Sequence, residues 1–413
     1  MSKQSNIPQL RFKGFEREWA TKMLGELGKF KNGLNKDSSE FGHGIPFINL
    51  MDVFGKSILI ESNFGLVNAN ENDIKNYNLE KGDVLFIRSS VKRTGVGETI
   101  LIAKDFPDTV YSGFLIRFRD NHKELSLNFK KYCFSNAPFR KELLSFATSS
   151  ANTNINQESL SQIKLNFPKA ITEQEKIASF LSAVDEKIQQ LTRKAALLEQ
   201  YKKGVMQQLF SGKLRFKDEN DEEYADWELR KMSDVLFEHK QNSTGNEEVF
   251  SVSVHKGLIN QVEHLGRVFA AKNTGNYNLV KPGDVVYTKS PTGNFPLGII
   301  KQSKMDKDVI VSPLYGVFTP ETKGLGYLLN VYFESPINVN NYLASIIQKG
   351  AKNTINITNT TFLSKKIKLP ISKEEQNKIG SFLEHLDIKI EETIKQLNHV
   401  QTYKKGLLQQ MFV

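Results

Sequence analysis

The sequence predicts an α+β protein with two unlike heads and two long helices. The helices pair as an antiparallel coiled coil, and a pseudo-two-fold axis relates the halves. Three observations predict this: the chain is written twice, each copy ends in a long apolar stripe at helical spacing, and the segment before each stripe reads as short strands and polar loops.

The duplication is plainest where the halves end. Tyr201-Lys202-Lys203-Gly204 recurs as Tyr403-Lys404-Lys405-Gly406, and Gln207-Gln208-Leu209-Phe210 as Gln409-Gln410-Met411-Phe412. Upstream, Gln174-Glu175-Lys176-Ile177 is echoed by Gln376-Asn377-Lys378-Ile379, and Ser179-Phe180-Leu181 by Ser381-Phe382-Leu383. Asn76-Tyr77-Asn78-Leu79 returns as Asn276-Tyr277-Asn278-Leu279. The halves also open alike, with Leu10-Arg11-Phe12-Lys13 before Trp19 and Leu214-Arg215-Phe216-Lys217 before Trp227. A period of roughly 200 residues marks a duplicated half, not a solenoid repeat.

From Thr172 to Phe210 there is no proline and a single glycine, Gly204. Apolar residues fall at Ile177, Leu181, Val184, Ile188, Leu191, Ala195, Leu198, Tyr201, Val205 and Leu209. Spacings of three and four make a helical stripe close to a heptad seam. Such a helix runs roughly 58 Å at about 1.5 Å per residue. Thr172 with Glu175 fits a capping box after Pro168. The second copy has Pro370, Ser372 with Glu375, and the stripe Ile379, Leu383, Leu386, Ile390, Leu397, Val400, Tyr403, Leu407 and Met411, interrupted by Thr393. Two separate helices, each lying on its own domain, are the alternative; against it, helices this long need a partner along their length, and the matched seams supply one. The pairing would set the two heads at opposite ends of a rod.

Residues 20–160 and 228–362 read as mixed strand and loop. Val84-Leu85-Phe86-Ile87 and Val285-Val286-Tyr287 follow the Gly-Asp turns Gly82-Asp83 and Gly283-Asp284 and read as buried strands. Leu115-Ile116-Arg117-Phe118 and Tyr315-Gly316-Val317-Phe318 read as another pair, with helices following at 128–144 and 326–347. After the first strand each head has a polar, basic loop. In the first it carries Arg88, Ser89, Ser90, Lys92, Arg93 and Thr94; in the second, Lys289, Ser290, Thr292 and Asn294. Later polar stretches hold Asn152 and Asn154 in one head, and Lys352 and Asn353 in the other. Arg suits guanine edges, Asn suits adenine, and Ser, Thr and Lys suit phosphate.

The charge agrees with a polyanionic partner. There are 56 Lys+Arg against 46 Asp+Glu, a net of +10. The one cysteine, Cys133, excludes an internal disulfide and a Cys-rich zinc site, and the seven histidines never pair at helical spacing beside a carboxylate. No P-loop, complete dinucleotide fingerprint or Asn/Asp-Pro-Pro-aromatic motif of amino-methylating enzymes occurs. Asp185-Glu186-Lys187 resembles the end of a nuclease motif, but it sits in the long helix and reads as a solvated face. The N-terminal residues are polar and no run of about 20 apolar residues occurs, so the chain is expected in the cytoplasm, away from membranes.

Taken as an ordered set, these motifs resemble the specificity subunits of Type I restriction–modification systems. The helix start is similar to that family's P-L-P-x-x-E-Q-x-x-I pattern, here Phe167-Pro168 through Glu173-Gln174 and Ile177, then Leu369-Pro370 through Glu375-Gln376 and Ile379. The Tyr-Lys-Lys-Gly helix end and the Leu-Arg-Phe openings belong to the same likeness, which covers essentially the whole chain. It departs at the first helix start, where Lys169-Ala170-Ile171 lengthens the spacer. The resemblance implies a first target recognition domain at 1–165, a central helix at 166–212, a second recognition domain at 213–367 and a C-terminal helix at 368–413. It implies a non-catalytic subunit that reads an asymmetric bipartite target on double-stranded DNA. Two methyltransferase subunits would dock on the helices and methylate adenine N6, and restriction subunits would translocate and cut. AdoMet, ATP and Mg2+ would be used by those partners, with no cofactor or metal on this chain. An enzyme with an unrecognised site and a purely structural coiled-coil adaptor are the rival classes.

Overall fold

The computed structural model describes residues 6–60, 63–149, 152–262, 274–349 and 355–413. They form two compact units, Met1–Thr192 with Gln396–Val413, and Arg193–Lys395. The central helix, Ile171–Phe210, and the C-terminal helix, Lys373–Gln410, each contribute one end to each unit.

The first unit is built on a five-stranded sheet ordered Gly28–Asn32, Leu115–Asp120, Val84–Ile87, Thr99–Ile102, Ile58–Leu59. Its ladders are antiparallel except the last. Val84–Ile87 is buried throughout, as a continuous apolar run requires when a strand is covered on both faces. The second unit has the shorter order Leu236–Phe237, Gly316–Pro320, Val285–Tyr287, Ile300–Gln302. Both Gly-Asp turns form. Gly82 (φ +98°) and Gly283 (φ +89°) occupy the left-handed region that glycine reaches without a Cβ clash. The carboxylate after each accepts the backbone N–H three residues back, Glu80 to Asp83 and Lys281 to Asp284, both at 2.8 Å.

The short helices are each broken in two. The expected 128–144 helix is Lys130–Cys133 followed by Ala137–Phe146, and the expected 326–347 helix is Lys323–Tyr332 followed by Pro336–Leu343. A side-chain cap restarts the chain each time: Asn136 accepts from the Phe139 N–H, and Ser335 from the Asn338 N–H, with a proline in the first turn.

The helix ends meet in antiparallel sense. In the first unit Ile177, Leu181 and Val184 share a core with Leu407, Met411 and Phe412, and Ile188 and Val400 pack at its edge. In the second, Val205 and Leu209 share a core with Ile379 and Leu383. Leu386 and Ile390 are buried and Leu198 is half-buried. Tyr201 and Tyr403 do not belong to the stripe, each being 55% exposed. The residue after each turns inward instead. Lys202 pairs with Asp387 at 2.7 Å and Lys404 with Asp185 at 2.6 Å. Asp185 is therefore not on a solvated face. It also pairs with Lys131 and accepts from the Tyr132 hydroxyl at 2.9 Å. Burial alone would push the Asp185 carboxyl up, but the Lys131 and Lys404 ammoniums outweigh it and hold the group below its ordinary value.

The repeated motifs at the helix starts have a structural job. The central helix begins at Ile171, so Thr172 lies inside it and is no cap; the Ala170 carbonyl accepts from the Glu173 and Gln174 N–H groups. In the second copy Ser372 does accept from the Glu375 N–H, at 3.3 Å. The true counterparts are Glu173 and Glu375. Glu173 accepts from the Trp19 indole N–H at 3.1 Å and from Arg11 at 2.8 and 2.9 Å. Glu375 accepts from the Trp227 indole N–H at 3.0 Å, with Arg215 at 3.6 Å. Behind each carboxylate a glutamine side chain donates to the proline carbonyl six residues back, Gln174 to Pro168 and Gln376 to Pro370. Phe12 meets Phe180 edge-on, and Phe216 meets Phe382 likewise. The Leu-Arg-Phe opening and the Trp of each half thus lock the head to its helix start.

Candidate nucleic-acid interface

In the first unit the structure brings the two polar stretches together. Ser89–Ser90 leaves the sheet as a short strand and pairs with Thr153–Asn154, which pairs with Thr148–Ser149. The Ile155 N–H donates to the Arg88 carbonyl at 3.0 Å and extends the ladder. Arg88, Ser89, Ser90 and Asn154 therefore lie side by side, all half-buried, and Asn154 donates to the carbonyl of exposed Asn152 at 3.0 Å. Beyond them Lys92, Arg93 and Thr94 are exposed on a turn that the Gly95 N–H closes onto the Lys92 carbonyl. A Cβ at Gly95 would lie 2.4 Å from the Ser90 hydroxyl oxygen and 3.2 Å from its Cβ, so any larger residue would have to turn the Ser90 side chain aside. Val96 anchors it in the core.

Arg140, which sequence reasoning missed, pins that turn. Its guanidinium donates to the Thr94 and Val96 carbonyls at 2.8 Å each. Nothing local signals this role, because the donor stands on a helix more than forty residues downstream. Burial pushes the Arg140 guanidinium below its ordinary value, with Glu98 opposing.

The second unit uses a hairpin tip. The Thr292 and Phe295 backbones exchange hydrogen bonds at 3.0 and 2.9 Å around Gly293 and Asn294. Phe295 and Leu297 root the tip in the core, while Ser290, Thr292 and Asn294 are exposed. Lys289 adopts φ +52° at the base of the tip. Burial pushes its ammonium below the ordinary lysine value, and Glu238 only partly offsets this. Lys352 and Asn353 lie outside the described residues.

Among the described residues no three His, Cys, Asp or Glu side chains are grouped to hold a metal. Cys133 is buried, and burial pushes its thiol well up, away from the reactive thiolate. No helix among the described residues is long and apolar enough to cross a membrane.

Comparison with known proteins gives a consistent result. The family model described as "Type I restriction modification DNA specificity domain" matches twice, over residues 16–200 and 225–399. The putative type I restriction enzyme MjaX specificity subunit of Methanocaldococcus jannaschii is 24% identical, over 98% of this chain and 95% of its own length. The crystal structure of a Type I restriction–modification S subunit from M. genitalium superposes with a TM-score of 0.58 at 14% identity, covering 98% of this chain and 99% of that one. The HsdS subunit of Thermoanaerobacter tengcongensis aligns at a TM-score of 0.46 and 14% identity, over 95% and 96% of the two chains.

Proposed function

The chain belongs to the Type I restriction–modification DNA specificity family, and from that premise we propose that each head reads one half of an asymmetric, bipartite target on double-stranded DNA. The observation that carries the reading is the pairing of equivalent with unlike. The frames of the two heads are locked to their helices by the same Arg–Trp–Glu set, yet their basic loops differ in sequence and shape. A shared frame with different contents is what two different half-sites require.

The chain supplies recognition and no bond-making chemistry. Methyltransferase subunits dock along the helix pair, hold AdoMet and methylate adenine N6 within the half-sites. Restriction subunits join that complex and use ATP and Mg2+ to translocate and cut DNA. Arg88, Lys92, Arg93 and Lys289 approach phosphates or guanine edges, and Asn154 and Asn294 the base edges. The test incubates the purified chain with DNA, AdoMet, ATP and Mg2+, alone and then with its cognate methyltransferase subunits. Adenine methylation only in the reconstituted complex is the expected result. Methylation or cleavage by the isolated chain overturns the non-catalytic reading, and failure of the complex to bind DNA overturns the reading as a whole.

A further inference from the structure

Each head shows an exposed apolar side chain at the same place. In the first unit Ser112 to Leu115 forms a tight turn: the Leu115 N–H donates to the Ser112 carbonyl at 2.8 Å, and the Phe114 N–H to the Ser112 hydroxyl at 3.3 Å. In the second unit Ser312 to Tyr315 forms the same turn, with the Tyr315 N–H at 3.0 Å from the Ser312 carbonyl and the Leu314 N–H at 3.3 Å from its hydroxyl. The third residue of each turn points out, Phe114 58% exposed and Leu314 73%. A lone exposed apolar residue is ordinary on a protein surface. The same one held out by the same doubly bonded turn, in two heads with otherwise different loops, is not explained that way.

Their position adds the second observation. The strand after the turn pairs with the strand that runs into the basic loop, in register Leu115↔Ile87 and Gly316↔Tyr287. One step further, the Arg88 N–H donates to the Phe114 carbonyl at 2.9 Å, and the Arg88 guanidinium reaches the Gly113 carbonyl at 3.4 Å. In the other head Leu314 stands two residues before Gly316, and Lys289 two residues after Tyr287. The first head thus sets its exposed apolar tip beside the first cation of its basic loop, and in the second the tip and the first cation stand two residues beyond the last observed pair of the same two strands.

We propose that Phe114 and Leu314 are specificity-determining residues that pack on the base pairs of their half-sites, in contact with base edges or a thymine methyl, while the neighbouring cation holds the phosphate. The inference rests on the DNA-reading role of the heads. Phosphates offer an apolar side chain nothing, whereas a thymine methyl in the groove gives it a sequence-dependent contact. A large ring in one head and a branched aliphatic in the other agrees with half-sites that differ.

The test uses the complete methyltransferase complex with Phe114→Ala, Phe114→Leu and Leu314→Ala. Binding to cognate and scrambled duplexes is measured across a salt series, and methylated adenines are mapped. Phe114→Ala is expected to lower the cognate-over-scrambled ratio about tenfold and relax positions in one half-site only. Leu314→Ala does the same for the other half-site, and Phe114→Leu restores part of the loss. The slope of log K against log salt keeps its value, because no phosphate contact is removed. An unchanged ratio in both alanine variants overturns the inference while leaving the DNA-reading role intact. A changed salt slope, or loss of methyltransferase subunits from the complex, overturns it in favour of a phosphate contact or a protein-docking tip. If the unsubstituted complex shows no preference for cognate DNA, the underlying reading falls too.

Discussion

Glu173 is the residue on which the first head turns. Its carboxylate is buried with Arg11 and Trp19, which are contributed from more than 150 residues away in sequence. Removing one partner of such a pair leaves the other charge buried and uncompensated. Glu173→Ala is expected to cost about 3–5 kcal/mol in urea denaturation, and Glu173→Gln less, since an amide oxygen still accepts the Trp19 N–H. A shift under about 0.5 kcal/mol for the alanine variant contradicts that role. Asp185 gives a pH-dependent counterpart. Its pKa is held below the unfolded value by Lys131 and Lys404 against the pull of burial, so its stabilisation is complete above the unfolded pKa. It is lost as pH falls through the folded pKa. The stability gap between the unsubstituted chain and Asp185→Asn should therefore be steady near neutrality and close below about pH 4. A gap that does not narrow as pH falls below the unfolded carboxylate pKa means that Asp185 acts through packing and not through its charge.

At the scale of elements, the helices show how far spacing alone can be read. Threes and fours located both long helices, and Ile177, Leu181, Ile379 and Leu383 are buried where the stripe put them. The stripe failed at Tyr201 and Tyr403, because a straight helix drifts against a strict heptad. There the inward position falls to Lys202 and Lys404, whose stems can be buried while their ammoniums find Asp387 and Asp185. Such a pairing has no local signature, since the partner lies on the other helix. The capping-box reading holds at Ser372, which accepts from the Glu375 N–H, and fails at Thr172, because the central helix already begins at Ile171 and the Ala170 carbonyl takes the first N–H groups. The Glu375 carboxylate is taken by the Trp227 indole N–H, a tertiary partner. The buried seam and the exposed tyrosine make a direct contrast. Leu383→Ala should cost about 2–5 kcal/mol, and Leu383→Asp more, with loss of methyltransferase subunits from the complex. Tyr403→Asp on the same helix should stay within about 0.5 kcal/mol in thermal or chemical denaturation. Equal effects at the two positions would mean that the helix pair is not held by this seam.

For the whole molecule, the duplicated frame was legible because identical tetrapeptides recur in order. The heads were legible only as composition. Sequence reading marked Ser89, Ser90 and Asn154 as separate polar stretches, and it took folding to bring them into one small sheet. Arg140, Phe114 and Leu314 escaped it because their roles depend on which strand neighbours which. The central claim is that two structurally separate heads each read one half of a split target. The most direct measurement exchanges residues 22–154 for the matching region of a homologous subunit, expresses the chimera with the cognate methyltransferase, and maps methylated adenines across the genome. The account predicts a gapped motif in which one half-site is new and the other is retained. A motif changed in both halves, or a continuous target with no gap, would contradict it.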